Sequence, residues 1–187
     1  MRVISGDRKG HKLISPKNNE IRPTEDRIKE SMFNIIGKIE EDSIVLDLFA
    51  GSGSIGIEFL SRGAKLAYFI DKSKDAIQLV KINLVKTRFE ERSVVLQRDS
   101  LAALKYLVTK GEFFDYIFID PPYKDIQLFH KVLEVLSDST LLKEKTLIIV
   151  EHDKELTLNE KYGKIIQVDR RNYGGKCMTY YKLKEVE

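Results

Sequence analysis

Apolar residues recur along this chain in two alternating patterns. Short unbroken runs at residues 43–49, 65–70, 93–97, 115–119 and 146–151 have the length and β-branched content of buried strands. Between them lie stretches with 3.6-residue spacing, which predict helices ending at Arg62 and over 73–88, 100–110 and 126–137. Ala76, Ile77, Val80 and Leu84 form the inner face of the second, and Ile126, Phe129, Val132, Leu133 and Leu136 that of the last. Five strands alternating with helices predict a mainly parallel α/β sheet. No long helix fits after residue 151. Residues 164–168 and 178–183, around Asn172-Tyr173-Gly174-Gly175, predict instead a closing antiparallel hairpin. Tyr180 and Tyr181 alternate on its last strand, which predicts one in the core and one exposed.

The amino end departs from this alternation. Residues 2–5 and 11–15 predict a small hairpin around Gly6-Asp7-Arg8-Lys9-Gly10. A helix follows, with Thr24 as N-cap, Ile28, Met32, Ile35, Ile36 and Ile39 at helical spacing, and Gly37 as the stop. Arg22, Arg27 and Lys29 cluster near its start. With no repeat and no linker, the expectation is a single domain over 1–187, with 1–40 as an extension and 41–187 as the core.

Composition narrows the class. Hydrophobic residues make up 42% and charged residues 33%, the balance of a globular protein. No apolar run approaches the ~20 residues that span a bilayer, and no secretory h-region opens the chain. Cys177 is the only cysteine, which excludes an internal disulfide and a cysteine-based metal cluster. The expectation is a cytoplasmic monomer. His11, His130 and His152 lack metal-ligand spacing, so no metal is expected. The net charge of +3 is uneven: residues 1–29 hold eight Lys/Arg against four Asp/Glu, and 161–187 hold seven against three. An acidic middle with basic flanks suggests a catalytic body with polyanion-binding edges.

Two stretches carry the chemistry. Strand 115–119 ends in Asp120-Pro121-Pro122-Tyr123. The prolines give no N–H to a ladder and fix their φ angles, so a stiff turn must follow the strand's carboxyl end. Such a turn suits the exocyclic amine of a nucleobase, whose conjugated lone pair makes it a poor nucleophile. Asp120 and the Pro121 carbonyl can accept its two N–H groups, and Tyr123 offers a face for stacking. Catalysis there is by positioning. Earlier, strand 43–49 runs into Gly51, Gly53 and Gly56, a G-x-G-x-x-G loop opening a helix. Asp71, twenty residues on, ends the next strand and can grip ribose hydroxyls. Asp99 and Ser100 end the third and can face an adenine. The loop would also fit a nicotinamide dinucleotide, but Asp47, four residues before Gly51, would repel a pyrophosphate and suit a cationic methionyl ammonium. S-adenosylmethionine fits both stretches, with a sulfonium as the reactive group.

These residues resemble the RsmD family of bacterial methyltransferases, which modify a guanine amine in small-subunit ribosomal RNA. The likeness rests on Arg2-Val3-Ile4-Ser5-Gly6 with Lys9-Gly10, and on Arg22-Pro23-Thr24 with Arg27, Glu30, Phe33 and Asn34. It extends through Leu46-Asp47-Leu48-Phe49-Ala50-Gly51-Ser52-Gly53, Leu60-Ser61-Arg62-Gly63 and Asp120-Pro121-Pro122-Tyr123. It implies a Rossmann-like class I methyltransferase fold and guanine-N2 methylation of 16S rRNA, with adenine-N6 methylation of DNA or RNA as the alternative. By the same resemblance, Asp47, Phe49, Ala50, Gly51, Ser52 and Gly53 cradle the methionyl part. Asp71, with Lys72, holds the ribose, and Asp99 and Ser100 face the adenine. Asp120, Pro121, Pro122 and Tyr123 present the amine. Arg22, Thr24 and Arg27, with Arg8 and Lys9 at the hairpin tip, border the RNA. The family often has glutamate where this chain has Asp71.

Overall fold

A computed structural model describes residues 1–15, 26–122 and 125–184. They form two compact units, Met1–Asp99 and Ser100–Glu187. The expected N-cap Thr24 lies outside the described residues, as do Arg22 and Tyr123.

The first unit opens with helix α1 (Asp26–Ile36), then β1 (Ile44–Asp47), α2 (Ser54–Ser61), β2 (Leu66–Asp71), α3 (Lys74–Thr87) and β3 (Ser93–Gln97). β2 pairs in parallel with β1 on one side and β3 on the other. The β1 and β2 interiors are wholly buried through Val45, Leu46, Phe69 and Ile70. α2 is buried at every position, so it reads as an apolar run rather than a stripe. α3 starts at Ser73, whose side chain accepts the Ala76 N–H. It ends with Arg88 in the left-handed region at φ 56°. α1 stops at Gly37, whose φ of 78° a side chain would resist.

The expected amino-terminal hairpin exists, but as one antiparallel bridge, Arg2 to Lys12, rather than a ladder. Three backbone bonds cross it: Val3 N–H to the His11 carbonyl (3.0 Å), Gly10 N–H to the Val3 carbonyl (2.9 Å) and Leu13 N–H to the Met1 carbonyl (3.2 Å), and a buried acid holds its other edge. The backbone N–H groups of Ile4 and Ser5 donate to the two carboxylate oxygens of Glu58 on α2, at 2.8 and 3.0 Å. The turn then docks on the carboxyl end of α2, where the Asp7 N–H donates to the Ser61 carbonyl (2.8 Å). The Arg8 N–H donates to Ser61 Oγ, which donates to the Ser5 carbonyl. The hairpin is therefore docked on α2 by both backbone and side-chain bonds.

The second unit contains α4 (Ser100–Thr109), β4 (Phe114–Ile119), α5 (Ile126–Asp138), β5 (Leu142–Asp153), the two-residue β6 (Lys161–Tyr162), β7 (Ile165–Tyr173) and β8 (Lys176–Leu183). β4 and β5 are parallel; β5 with β8, β8 with β7 and β7 with β6 are antiparallel. The closing hairpin is thus present, longer than expected. β5 also begins earlier than its apolar run, because the Lys143 N–H donates to Thr146 Oγ1, which donates to the Phe114 carbonyl. One expectation fails: Tyr180 and Tyr181 are both buried. β8 lies between two partners and carries five consecutive buried residues, Cys177 to Tyr181, so both faces of the strand are covered. Cys177 packs there as a small side chain.

Candidate cofactor and substrate sites

In the first unit β1 ends at Asp47, and the chain must turn within six residues to start α2. Gly51 (φ 55°) and Gly53 (φ 78°) make that turn in the left-handed region. Gly53 N–H closes it onto the Ala50 carbonyl at 2.7 Å, and the Ala50 N–H reaches the Ile70 carbonyl of β2. Gly56 serves packing instead. A Cβ there would sit 2.4 Å from the Phe69 ring, so its absence lets α2 lie against β2.

Two carboxylates shape the loop. Asp47 is fully buried, and its Oδ2 accepts the Gly56 N–H at 3.0 Å. Burial pushes its carboxyl up to about 7, the Gly56 N–H opposes this, and nearby Asp71 adds to the rise. A fixed negative charge at Asp47, expected from the sequence, is therefore conditional: near neutrality the carboxyl is only partly ionised, and a cation beside it would favour the charged form. Asp71 is partly exposed. Its Oδ2 accepts the Gly51 N–H (3.0 Å) and its Oδ1 the Ser73 N–H (2.9 Å). Each oxygen can accept a second bond, so Asp71 can hold loop, helix start and a ribose hydroxyl together. The Arg98 N–H donates to the Asp71 carbonyl, which ties the end of β3 to the end of β2.

Phe49 is half-buried, Ala50 and Ser52 are buried, and Lys72 and Asp99 are exposed. Ser100, the next residue, opens α4 and is buried, and its Oγ has no hydrogen-bond partner among the described residues. A buried hydroxyl without a partner costs free energy unless a ligand supplies one. Within the first unit, the left-handed glycine turn, Asp71 and the conditional charge of Asp47 fit a nucleoside with a cationic tail. No cluster of potential metal ligands occurs among the described residues. His152 is buried, with one ring nitrogen on the Asp153 carbonyl and the other on Thr179 Oγ1, and burial lowers its pKa.

In the second unit β4 delivers Asp120, partly exposed, followed by buried Pro121 and exposed Pro122. The Pro122 carbonyl accepts the Asp125 N–H at 3.0 Å, and the Asp125 side chain then caps α5 through the Leu128 N–H. Pro122 is thus tied to the residue that caps α5.

Among the basic residues, Lys9 and Arg27 are exposed. Arg8 is docked: its Nε donates to the Thr87 carbonyl at 2.7 Å, and its guanidinium lies 5.3 Å from the centre of the Phe89 ring. Lys29 departs most from its sequence reading. Expected to cluster with Arg22 and Arg27 near the helix start, it is fully buried, with Nζ on the Arg2 carbonyl (2.6 Å) and Ser54 Oγ (3.0 Å), and 3.4 Å from Glu58. Glu58 also binds Arg62 Nε at 2.8 Å. Sequence reasoning missed Glu58 and Asn83. The available signal was a polar residue on a buried helical face: an acid in the apolar run of α2, and an amide in line with Val80, Leu84 and Thr87 on α3.

The strand–helix order and the glycine turn after β1 define the class: this is the fold of the S-adenosylmethionine-dependent methyltransferases, shared with solved structures of that group. The family model described as “Conserved hypothetical protein 95” matches residues 1–182, and the chain belongs to that family. It is 40% identical to the Bacillus subtilis protein named “Putative rRNA methyltransferase YlbH”, over 97% of this chain and 98% of that one. It is 36% identical to the Haemophilus influenzae “Ribosomal RNA small subunit methyltransferase D”, over 84% and 81% of the two chains. The solved structure described as “Putative methyltransferase yhhF from Escherichia coli” superposes with a TM-score of 0.84 at 29% identity, covering 98% of each chain. The RsmD resemblance of the sequence is thereby borne out at the level of family.

Proposed function

We propose that this chain is an rRNA (guanine-N2)-methyltransferase that uses S-adenosylmethionine and acts on 16S rRNA, in the small ribosomal subunit, as a monomer. The observation that carries the reading is the pairing of two sites in one chain: a loop with a buried, conditionally charged Asp47, and a stiff Asp120-Pro121-Pro122 turn after β4. The names of the two curated relatives point the same way.

Within this reading residues 47–53 hold the methionyl part, with Asp47 taking the ammonium. Asp71, flanked by Lys72, takes the ribose, and Asp99 and the Ser100 hydroxyl take the adenine. When bound, S-adenosylmethionine supplies an electrophilic methyl on a sulfonium. Asp120 and the Pro121 carbonyl accept the two N–H bonds of the guanine amine, which favours a pyramidal nitrogen and aims its lone pair. Tyr123 stacks on the base, and Pro122 keeps the turn rigid. A stacked guanine must first be extruded to reach that turn. Residues 1–40, through Lys9, Arg22, Thr24 and Arg27, with Arg8 bracing the hairpin tip, border the RNA.

The test is nucleoside mass spectrometry of 16S rRNA from cells with and without the gene, paired with labelled-methyl transfer to naked 16S rRNA and to isolated small subunits. Loss of N2-methylguanosine supports the reading. Loss of N6-methyladenine with N2-methylguanosine retained overturns it in favour of an adenine amino-methyltransferase.

A further inference from the structure

The glycine loop is held from outside as well as by its own turn. Asn83, fully buried on α3, donates one Nδ2–H to the Ser52 carbonyl (2.9 Å) and the other to the Ile14 carbonyl (3.0 Å). Its Oδ1 accepts the Ile14 N–H at 2.8 Å. Only a side-chain amide offers two donors and an acceptor in one plane, and all are used here. The Ser52 carbonyl and the Gly53 N–H belong to the same peptide. Asn83 fixes one side of that plane and the Ala50 carbonyl, 2.7 Å from Gly53 N, fixes the other. At the far end of the turn, buried Lys29 of α1 donates to Ser54 Oγ, the first side chain of α2, and to the Arg2 carbonyl.

Both anchors have the same form. Each makes one hydrogen bond to the amino-terminal hairpin and another to the glycine loop (Asn83) or to the first residue of the helix it opens (Lys29). Glu58, beside Lys29, adds a third link through the Ile4 and Ser5 N–H groups. We infer that Asn83 and Lys29 are positioning residues that make the amino-terminal hairpin a structural part of the cofactor loop, so that hairpin docking and cofactor affinity are coupled. The inference rests on the cofactor reading above. Such coupling is reciprocal: whatever orders the loop on binding must also tighten the hairpin.

The experiment uses the full chain with S-adenosylhomocysteine as probe, by calorimetric titration and by amide hydrogen exchange at Ile14. In the wild type, saturating probe should slow Ile14 exchange several-fold. Asn83→Asp keeps an acceptor for the Ile14 N–H but has no donor for either carbonyl. It should bind the probe about 10-fold more weakly, as expected for two lost buried hydrogen bonds. Ser54→Ala removes only the Lys29 contact to the start of α2, where the loop ends, and should cost about 3-fold; it serves if the Asn83 variant does not fold. Thr87→Val is the control, losing hydroxyl bonds to the Asn83 and Leu84 carbonyls on the same helix. Its melting temperature should fall while its affinity stays at the wild-type value. Wild-type affinity in both Asn83→Asp and Ser54→Ala, or Ile14 exchange unmoved by saturating probe, overturns the inference. A wild-type chain that binds neither S-adenosylmethionine nor the probe overturns the cofactor reading itself, a result distinguishable from the others.

Discussion

A carboxylate does different work at Asp47 and at Asp120 because their burial differs. Asp47 is fully enclosed, so its charge has no water to stabilise it; Asp120 stands partly exposed at a strand end. The enclosed group gives a pH signature. Its folded pKa, about 7, lies above the ordinary 3.8, so between those values the native state keeps a proton that the unfolded chain has released. That contribution to stability is complete below pH 3.8 and is lost as pH rises through 7. Asp47→Asn should therefore raise the melting temperature of the ligand-free protein at pH 8, by at most about 4 kcal/mol in stability, with most of the gain gone near pH 4. The same variant should bind S-adenosylmethionine more weakly at pH 8, because the neutral amide no longer answers the ammonium. Paired melting curves and titrations at the two pH values check both arms. Asp120→Ala should behave in the opposite way, losing methyl transfer by several orders of magnitude while cofactor affinity stays within about 2-fold. Full turnover in that variant would remove Asp120 from the chemistry.

At the scale of elements, the strands and helices were readable where one apolar period ran without interruption. β3 is reproduced to the residue, and α3 and α5 to within one. What sequence did not disclose was the partner of each polar group. Nothing local says that Glu58 would hold the Ile4 and Ser5 N–H groups, because those residues lie more than fifty positions apart. For the same reason nothing marked Lys29 as buried: a lysine expected to cluster with Arg22 and Arg27 carries no local sign of it. Hairpin docking has a sharp consequence at its two glycines. Both adopt positive φ, 80° at Gly6 and 85° at Gly10. A Cβ on Gly6 would lie 1.7 Å from the Ser61 carbonyl oxygen, whereas one on Gly10 meets nothing within 4 Å. Gly6→Ala should cost on the order of 2–4 kcal/mol, adding a backbone clash to strain, and Gly10→Ala only about 1, from strain alone. Thermal denaturation of the two variants separates them, and equal losses would mean that the turn is not docked on α2 in solution.

At the scale of the whole molecule, net charge is a poor guide to which cations meet RNA. The excess of basic residues at the amino end predicted a polyanion-binding edge, yet its cations divide into two groups. Arg8 is engaged with Thr87 and Phe89, and Lys29 is enclosed with Glu58. Lys9 and Arg27 are exposed. A cation that neutralises a phosphate releases counterions, so its loss lowers the slope of log affinity against log salt by roughly 0.7–0.9. A cation engaged inside the fold leaves that slope alone and lowers stability instead. Lys9→Gln and Arg27→Gln should thus each flatten the salt dependence of 16S rRNA binding by about that amount, with melting temperatures unchanged. Arg8→Gln should lower the melting temperature and leave the slope in place. RNA-binding titrations across a salt series, run beside melting curves, make the division directly visible. If the Lys9→Gln, Arg27→Gln double variant kept the wild-type slope, the amino-terminal edge would not be where the phosphates lie, and the basic closing hairpin with Arg170 and Arg171 would be the place to look next.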